Sequence, residues 1–182
     1  IHGYVAQLGE VNDQYRYALE IAAGNRLGQI VVDNDHVASK AINILKKRNA
    51  GRLTFLPLNR LRKTSRNNAI ARLETKASKG FIDKAINLID FDEVYEDVFK
   101  YVFGETRVYS DLESAKNAQI KTRIVTVTGE LLEITGAITG GSRLNRELTL
   151  RFGSNDEVDE ISPLKKRLLE INESITHANQ QL

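Results

Sequence analysis

Residues 126–142 read TVTGELLEITGAITGGS and contain four of the twelve glycines of the chain. Two runs of β-branched and aliphatic residues flank Gly129. Because glycine readily adopts the positive φ that tight hairpin turns require, the pattern predicts two strands joined by a turn at residues 128–130.

The glycine spacing of this stretch invites comparison with a nucleotide-binding loop. Gly136 and Gly141 have the separation found in the phosphate loop, but that loop continues with a lysine and then a serine or threonine. Ser142 and Arg143 stand there instead. Because the lysine that neutralises the phosphates is missing, an enzyme that binds a nucleotide through these glycines is the least favoured hypothesis.

Several residues of the same stretch leave the backbone bare. Gly136, Gly140 and Gly141 lie beside Ala137 and Ile138. Since a glycine lets another backbone approach closely, these five residues are candidates for contact with a partner chain. Simple turn chemistry is the alternative explanation for the glycines.

The composition is typical of a globular protein. Of 182 residues, 41% are hydrophobic and 27% are charged, and no apolar run approaches the roughly 20 residues that a membrane-spanning helix needs. The absence of cysteine excludes disulfides and thiolate sites and, with no secretion signal, favours the cytoplasm. Because the chain has no methionine, even at its start, we expect an internal piece of a longer protein.

Charge is strongly segregated along the chain. Residues 46–79 carry eleven Lys or Arg against one acid, Glu74, for a net charge of +10. Residues 81–113 carry nine acids against three bases, for a net charge of −6. This asymmetry predicts one face that attracts a polyanion beside another that repels it.

The first half of the chain has the pattern of a βαβ unit. A helix at residues 13–24 is followed by a strand at 27–32, a helix that ends near Asn49, and a strand at 52–56. The two strands should be parallel neighbours with a right-handed crossover.

A second α/β half is predicted beyond residue 80. Residues 57–80 have poor periodicity and dense positive charge, which indicates a long surface connection. An amphipathic helix from Phe91 to Gly104, a strand at 106–109, a short helix capped by Asp111 and a strand at 122–128 then repeat the logic of the first half.

The last residues carry a heptad pattern after a helix start at Ser162-Pro163. The seam consists of Leu164, Leu168, Ile171 and Ile175. This spacing favours a coiled coil, although under three heptads the period alone also allows an ordinary amphipathic helix packed on the domain.

No pattern for catalysis or metal binding is present in the sequence. His2, His36 and His177 are far apart, and no serine nucleophile signature occurs. The carboxylates between residues 90 and 97 are more typical of a solvated helix face than of a catalytic site. We therefore predict no catalytic residue, no metal and no cofactor in these residues.

The basic run favours sequence-independent binding of DNA. So dense a charge attracts phosphates through counterion release, whereas a merely solvated surface usually includes compensating acids. No aromatic residue interleaves the bases between residues 56 and 80, so base stacking there is poorly supported. The candidate DNA contacts are Arg60, Arg62, Lys63, Arg66, Arg143 and Arg146.

Taken together, the sequence resembles the hinge domain of structural-maintenance-of-chromosomes (SMC) ATPases over nearly its whole length. The resemblance rests on His2-Gly3 with Tyr4, the helix at 15–24, the run GRLTFLPL at 51–58, Val102-Phe103-Gly104, and the stretch from Gly129 to Ser142. The glycine stretch is most similar to that of prokaryotic SMC proteins.

The resemblance implies a mixed α/β fold of two related subdomains with mixed sheets, inserted midway along an antiparallel coiled coil. Residues 1–80 would form subdomain I with its basic connection, residues 81–155 subdomain II with the glycine-rich dimer stretch, and residues 160–182 the start of a coiled-coil arm. Two chains would form a homodimer with Gly136, Gly140 and Gly141 at or near the contact.

The resemblance also implies a place in chromosome condensation and segregation, at the nucleoid in the cytoplasm. ATP and Mg²⁺ would be bound by head domains elsewhere in the full protein, and other subunits of the complex would also bind elsewhere. The leading hypothesis is a dimerisation module with accessory DNA binding and no catalysis of its own. The alternative is a freestanding nucleic-acid-binding α/β domain without obligate dimerisation.

Overall fold

The computed structural model of the chain describes residues 1–61, 79–118, 120–141 and 152. Residues 1–61 alternate short strands with helices. The elements are β1 (Gly3–Tyr4), β2 (Gly9–Val11), α1 (Asp13–Ala23), β3 (Ile30–Val32), α2 (Asp35–Arg48) and β4 (Phe55–Pro57), with 3-10 turns at Val5–Gln7 and Gly24–Gly28.

Residues 79–141 repeat this order and then add two strands. The elements are β5 (Phe81–Lys84), β6 (Ile89–Phe91), α3 (Glu96–Phe103), β7 (Arg107–Tyr109), α4 (Leu112–Asn117), β8 (Ile124–Thr126), β9 (Leu131–Leu132) and β10 (Ile138–Thr139), with 3-10 turns at Ala85–Leu88 and Glu93–Tyr95. No helix in the described ranges is both long enough and apolar enough to cross a membrane.

Polar side chains cap the helices where the sequence places them. The Asn12 side chain accepts a hydrogen bond from the Gln14 amide at 3.1 Å, ahead of α1. The Asp111 side chain accepts one from the Ser114 amide at 2.8 Å, ahead of α4. Each such cap typically stabilises a helix by about 1 kcal/mol, and the Asp111 cap confirms the sequence prediction.

The strands form mixed sheets. The first sheet has the order β1-β3-β4, and β3 and β4 are parallel, so the predicted βαβ unit is confirmed. The second sheet has the order β10-β9-β8-β7-β5, in which β7 and β8 are parallel and the other pairs are antiparallel. A mixed α/β fold is therefore correct.

Several strand boundaries differ from the prediction, and the strand predicted at 52–56 is found as β4 at Phe55–Pro57. Residues 24–28 form a 3-10 turn, so the predicted strand at 27–32 is shortened to β3. The predicted strand at 122–128 is shortened to β8, because the chain already turns at 127–130. Residues 81–89, for which the sequence analysis predicts no strand, contain β5 and the start of β6, which are stabilised by long-range pairing with β7 and β2.

The two halves are related by an internal two-fold axis. Strands β2 and β6 pair antiparallel, with Gly9 opposite Phe91, Glu10 opposite Asp90 and Val11 opposite Ile89. Each residue of β2 corresponds to the β6 residue eighty positions later, and Gly24 corresponds to Gly104 in the same way, both with a φ of 53°. An axis between Glu10 and Asp90 therefore relates α1 to α3.

One hydrophobic core is shared by both halves. Leu19 on α1, Val31 on β3, Phe99 on α3 and Val125 on β8 are all fully buried in the same cluster. Burying a side chain of this size contributes roughly 1.5–3 kcal/mol. The halves consequently fold around a common interior.

Gly9 leaves space for the ring of Phe99 in that core. A Cβ added at Gly9 would lie 2.7 Å from Cζ of Phe99. The equivalent pair in the other half is Ile89 and the smaller Leu19. The loss of a side chain at one position thus compensates for the gain of a ring at the other.

Some sequence predictions fall outside the described residues. The heptad seam at Leu164, Leu168, Ile171 and Ile175 lies there, and so do five of the six candidate DNA contacts. The predicted boundaries at 80/81 and 155/160, and the coiled-coil arm, stay predictions.

Candidate interaction surface

The glycine stretch folds as two successive hairpins. In the first, the Gly129 amide donates to the Thr126 carbonyl at 3.0 Å, and the Thr126 amide donates to the Glu130 carbonyl at 2.9 Å. Gly129 has a φ of +97°, which explains why glycine occupies this position. The hairpin turn predicted at residues 128–130 is confirmed.

The second hairpin joins β9 to β10. The Glu133 amide donates to the Ala137 carbonyl at 2.8 Å, and the Gly136 amide donates to the Glu133 carbonyl at 2.9 Å. Gly136 has a φ of +90°, and a Cβ added there would meet nothing within 4 Å. Gly136 therefore serves the turn itself, as the alternative reading of the sequence proposed.

The β9–β10 hairpin, residues 131–141, carries all five predicted interface residues. Gly136, Ala137, Ile138, Gly140 and Gly141 are all exposed and lie together at one end of the five-stranded sheet. Gly140 and Gly141 follow β10 directly.

Apolar side chains project from this hairpin into solvent. Ile134 is 69% exposed and Ile138 is 54% exposed. Strand β10 is the last strand of its sheet, and within the described residues nothing pairs with its outer side. An open strand edge with large apolar side chains favours association with another strand.

Glu130 anchors the base of the hairpin. Its Oε2 accepts a hydrogen bond from the Thr126 hydroxyl and another from the Thr128 hydroxyl at 2.6 Å. These hydroxyls, Thr126 first and Thr128 second, lower the pKa of Glu130 below its usual value, because they stabilise the carboxylate. The Glu130 stem also packs on Gly140, where an added Cβ would lie 3.1 Å from Cγ.

A second open edge lies in the first half. Strand β4 ends the three-stranded sheet. The Thr54 carbonyl and the Leu58 amide bond to β3, so by alternation the backbone groups of Phe55 and Pro57 point to the outer side. Pro57 offers no N–H, which limits pairing on that side to the residues before it.

Arg60 is the one candidate DNA contact within the described residues, and an acid already holds it. Its Nε donates to Oδ2 of Asp35 at 2.8 Å, and its Nη2 reaches the same oxygen. Asn59 holds the other side of this carboxylate, through Nδ2 to Oδ1 at 3.1 Å. Arg60, followed by Asn59, lowers the pKa of Asp35.

The end of α2 presents a basic cluster that was not among the candidate contacts. Lys46, Lys47 and Arg48 form the last turn of α2 and are exposed. None of the three has an ion-pair partner among the residues described. The sequence shows the basic run at residues 46–79, but it does not show that Lys46, Lys47 and Arg48 would lie on the helix without an acid nearby.

Within the described residues, no group of three or more His, Cys, Asp or Glu side chains is placed to hold a metal ion.

Comparison with known proteins decides the family. The model of the family "SMC proteins Flexible Hinge Domain" matches residues 1–119. The chain belongs to the SMC hinge domain family. The matched residues end before the β9–β10 hairpin, so the hinge match rests on the shared core rather than on the glycines.

Curated relatives extend the match to the glycine stretch. The hinge is 47% identical over 182 residues to the chromosome partition protein Smc of Synechocystis sp., covering 99% of this chain and 15% of that protein. It is 37% identical to the protein of the same name from Aquifex aeolicus, covering 97% of this chain and 16% of that protein. The chain thus spans about a sixth of the length of these relatives.

Solved structures agree with the fold. An asymmetric dimer of the Geobacillus stearothermophilus SMC hinge domain matches with a TM-score of 0.75 at 30% identity, covering 99% of this chain and 71% of that one. The Pyrococcus furiosus SMC hinge domain matches with a TM-score of 0.64 at 37% identity, covering 78% and 72%. The resemblance proposed from the sequence is confirmed.

Proposed function

We propose that this hinge joins two copies of the chain through the β9–β10 hairpin. The observation that carries the proposal is the open edge of β10 with Ile134 and Ile138 exposed on the same hairpin. A second copy would cover these side chains and supply backbone partners for the edge. The Geobacillus stearothermophilus hinge domain forms an asymmetric dimer, which supports dimerisation of this hinge.

The internal two-fold axis suggests where the second copy docks. Strand β4 of the first half corresponds to β8 of the second half. Strand β9 pairs with the outer side of β8, whereas no described strand pairs with the outer side of β4. We expect β10 of one copy to approach the outer side of β4 of the other. A two-fold dimer would form this contact twice, and the sheets would then continue from chain to chain.

Sedimentation equilibrium of residues 1–182 over a concentration series tests the proposal. We expect the wild type to be a dimer and the Ile138→Asp variant to be a monomer, because a carboxylate would be buried in the contact. Val94→Asp is the matched control, since Val94 is also 54% exposed but lies on the 3-10 turn before α3. A monomeric wild type, or equal weakening by both variants, contradicts the proposal.

DNA binding is the second function we propose. It is supported by the net charge of +10 over residues 46–79 and by the unneutralised cluster at Lys46, Lys47 and Arg48. Such a surface would bind phosphates without reading the base sequence.

Charge reversal separates a DNA-binding surface from general electrostatics. We expect the triple variant Arg62→Glu, Lys63→Glu and Arg66→Glu to lose most of its affinity for a DNA duplex and to reduce the salt dependence. The matched control reverses Lys40, Lys116 and Lys121, which carry the same charge outside residues 46–79. Equal losses in the two variants would leave no specific surface. A wild type that binds DNA as a monomer would instead favour the freestanding nucleic-acid-binding domain.

The wider setting extends the same proposal. The hinge would link two coiled-coil arms through the seam that starts at Leu164, within a chromosome-partition protein of the kind found in Synechocystis. ATP hydrolysis and binding of other subunits would belong to parts of that protein outside these residues. The hinge would perform no chemistry of its own, and the assembly would act at the nucleoid in the cytoplasm.

A further inference from the structure

The turn between β8 and β9, in the second half, is in contact with the aromatic ring of Tyr17 from the first half. A Cβ added at Gly129 would lie 2.4 Å from Cε1 of Tyr17, 3.0 Å from Cζ and 3.1 Å from Cδ1. Tyr17 belongs to α1, in the first half, whereas Gly129 follows β8 in the second half. The ring therefore contacts the bare backbone of the turn directly.

The residue after Gly129 connects the same turn with the end of β10. Glu130 follows Gly129, its carboxylate is fixed by Thr126 and Thr128, and its stem contacts Gly140. A continuous series of contacts thus runs from Tyr17 through Gly129 and Glu130 to Gly140. It connects α1 with the residues immediately after the edge strand.

The fold does not require an aromatic side chain at this position. The residue eighty positions further on, at the equivalent place in α3, is Asp97. Each residue from 7 to 20 matches the residue eighty positions later in being buried, half-buried or exposed. The environments of the two segments therefore correspond closely. The ring occurs only in the half whose helix faces the turn that leads into the hairpin.

We propose that Tyr17 is a positioning residue for the dimer contact. Its ring fixes the β8–β9 turn and, through Glu130, the direction in which the β9–β10 hairpin leaves the sheet. The inference rests on the proposed dimerisation through this hairpin. It makes the affinity of the dimer depend on α1, a helix that lies outside the β9–β10 hairpin.

The test compares dimer affinity with the free energy of unfolding in Tyr17 variants. Sedimentation equilibrium gives the dimer Kd, and denaturant unfolding followed by circular dichroism gives the stability. We expect Tyr17→Ala to raise the dimer Kd by about tenfold, the size of coupling typical of contacting residues. Tyr17→Phe keeps the ring and should leave the Kd within about twofold of wild type.

Tyr101→Ala is the matched control, because Tyr101 is an aromatic residue of α3 that contacts Arg26 rather than the hairpin. It should leave the Kd unchanged. Tyr17→Leu, which keeps apolar volume without the ring, replaces Tyr17→Ala if the alanine variant does not fold, and should also weaken the dimer.

The outcomes separate this inference from the proposed function. A dimeric wild type whose Kd is unchanged in Tyr17→Ala or Tyr17→Leu overturns the positioning role and leaves dimerisation intact. If both variants lose stability without a change in Kd, or fail to fold, Tyr17 is simply a core residue and the inference is wrong. A monomeric wild type overturns the proposed function and this inference together.

Discussion

Glu10 and Asp90 face each other directly across the β2–β6 pair, at the internal two-fold axis. Both side chains are exposed, and neither forms an ion pair with any described residue. Like charges at directly opposite positions of an antiparallel pair destabilise it. The β2–β6 pair, which joins the two halves, is therefore destabilised at its centre by electrostatic repulsion.

Glu10→Lys should remove this penalty and create an attractive pair with Asp90. We expect the free energy of unfolding to rise by about 0.5 kcal/mol, within the usual range for cross-strand pairs. Denaturant unfolding at low salt measures it. Asp90→Lys should give a similar gain, and the double variant should lose it again because two lysines then face each other. Additive gains in the double variant would rule out a direct interaction.

Gly129 and Gly136 offer a matched comparison of two turn glycines. Both have positive φ, so replacement by alanine should cost about 1–2 kcal/mol of stability at either position. The space around them differs, since only Gly129 has the Tyr17 ring against it. Gly129→Ala should therefore cost a further 1–3 kcal/mol or so from overpacking.

Unfolding of the two glycine variants at one fixed protein concentration measures the difference. Combining Gly129→Ala with Tyr17→Ala should recover part of the loss, because the ring that clashes is gone. Equal losses in the two single variants would show that backbone conformation alone requires the glycines.

Local features of the fold were predictable from the sequence. Asn12 and Asp111 are capping residues that act within three positions of themselves, and Gly129 marks a turn between its own neighbours. The parallel pairing of β3 and β4 follows from a strand, a helix and a strand in sequence. Each of these features is specified by residues that are close along the chain.

Contacts between distant residues were not predictable in the same way. Asp35 and Arg60 are 25 positions apart, and Tyr17 and Gly129 are on different halves. No periodicity records which side chains meet across such distances. One usable signal was missed: aligning residues 12–24 with 92–104 superimposes the capping residues and the terminal glycines, and predicts the internal two-fold relation.

The Asp35–Arg60 pair should make stability depend on pH in the acid range. Arg60 and Asn59 lower the pKa of Asp35 below its usual value of 3.8, so the stabilisation is present above that value. It is lost as the pH falls through the lowered pKa of the folded state. Arg60→Gln should therefore reduce the loss of stability on acidification.

Thermal melting as a function of pH tests this dependence. Arg52→Gln is the control, because Arg52 is exposed and forms no ion pair with a described residue. It should keep the acid dependence of the wild type. The same profile for Arg60→Gln and wild type would mean that the pair contributes nothing measurable.

The basic cluster at the end of α2 should contribute more to DNA binding than Arg60 does. Lys46, Lys47 and Arg48 are free of described acids, whereas binding of a phosphate by Arg60 would first require breaking its pair with Asp35. Each phosphate contact changes the slope of log affinity against log salt concentration by about 0.9.

Replacing Lys46, Lys47 and Arg48 by glutamine should therefore lower the magnitude of this slope by about 2 to 3, while Arg60→Gln should change it by much less than 1. Fluorescence anisotropy of a labelled duplex over a salt series measures both slopes, with circular dichroism to confirm that α2 remains folded without the cations that favour its C-terminus. A larger change for Arg60→Gln than for the triple variant would place the DNA contact at Arg60 rather than at the end of α2.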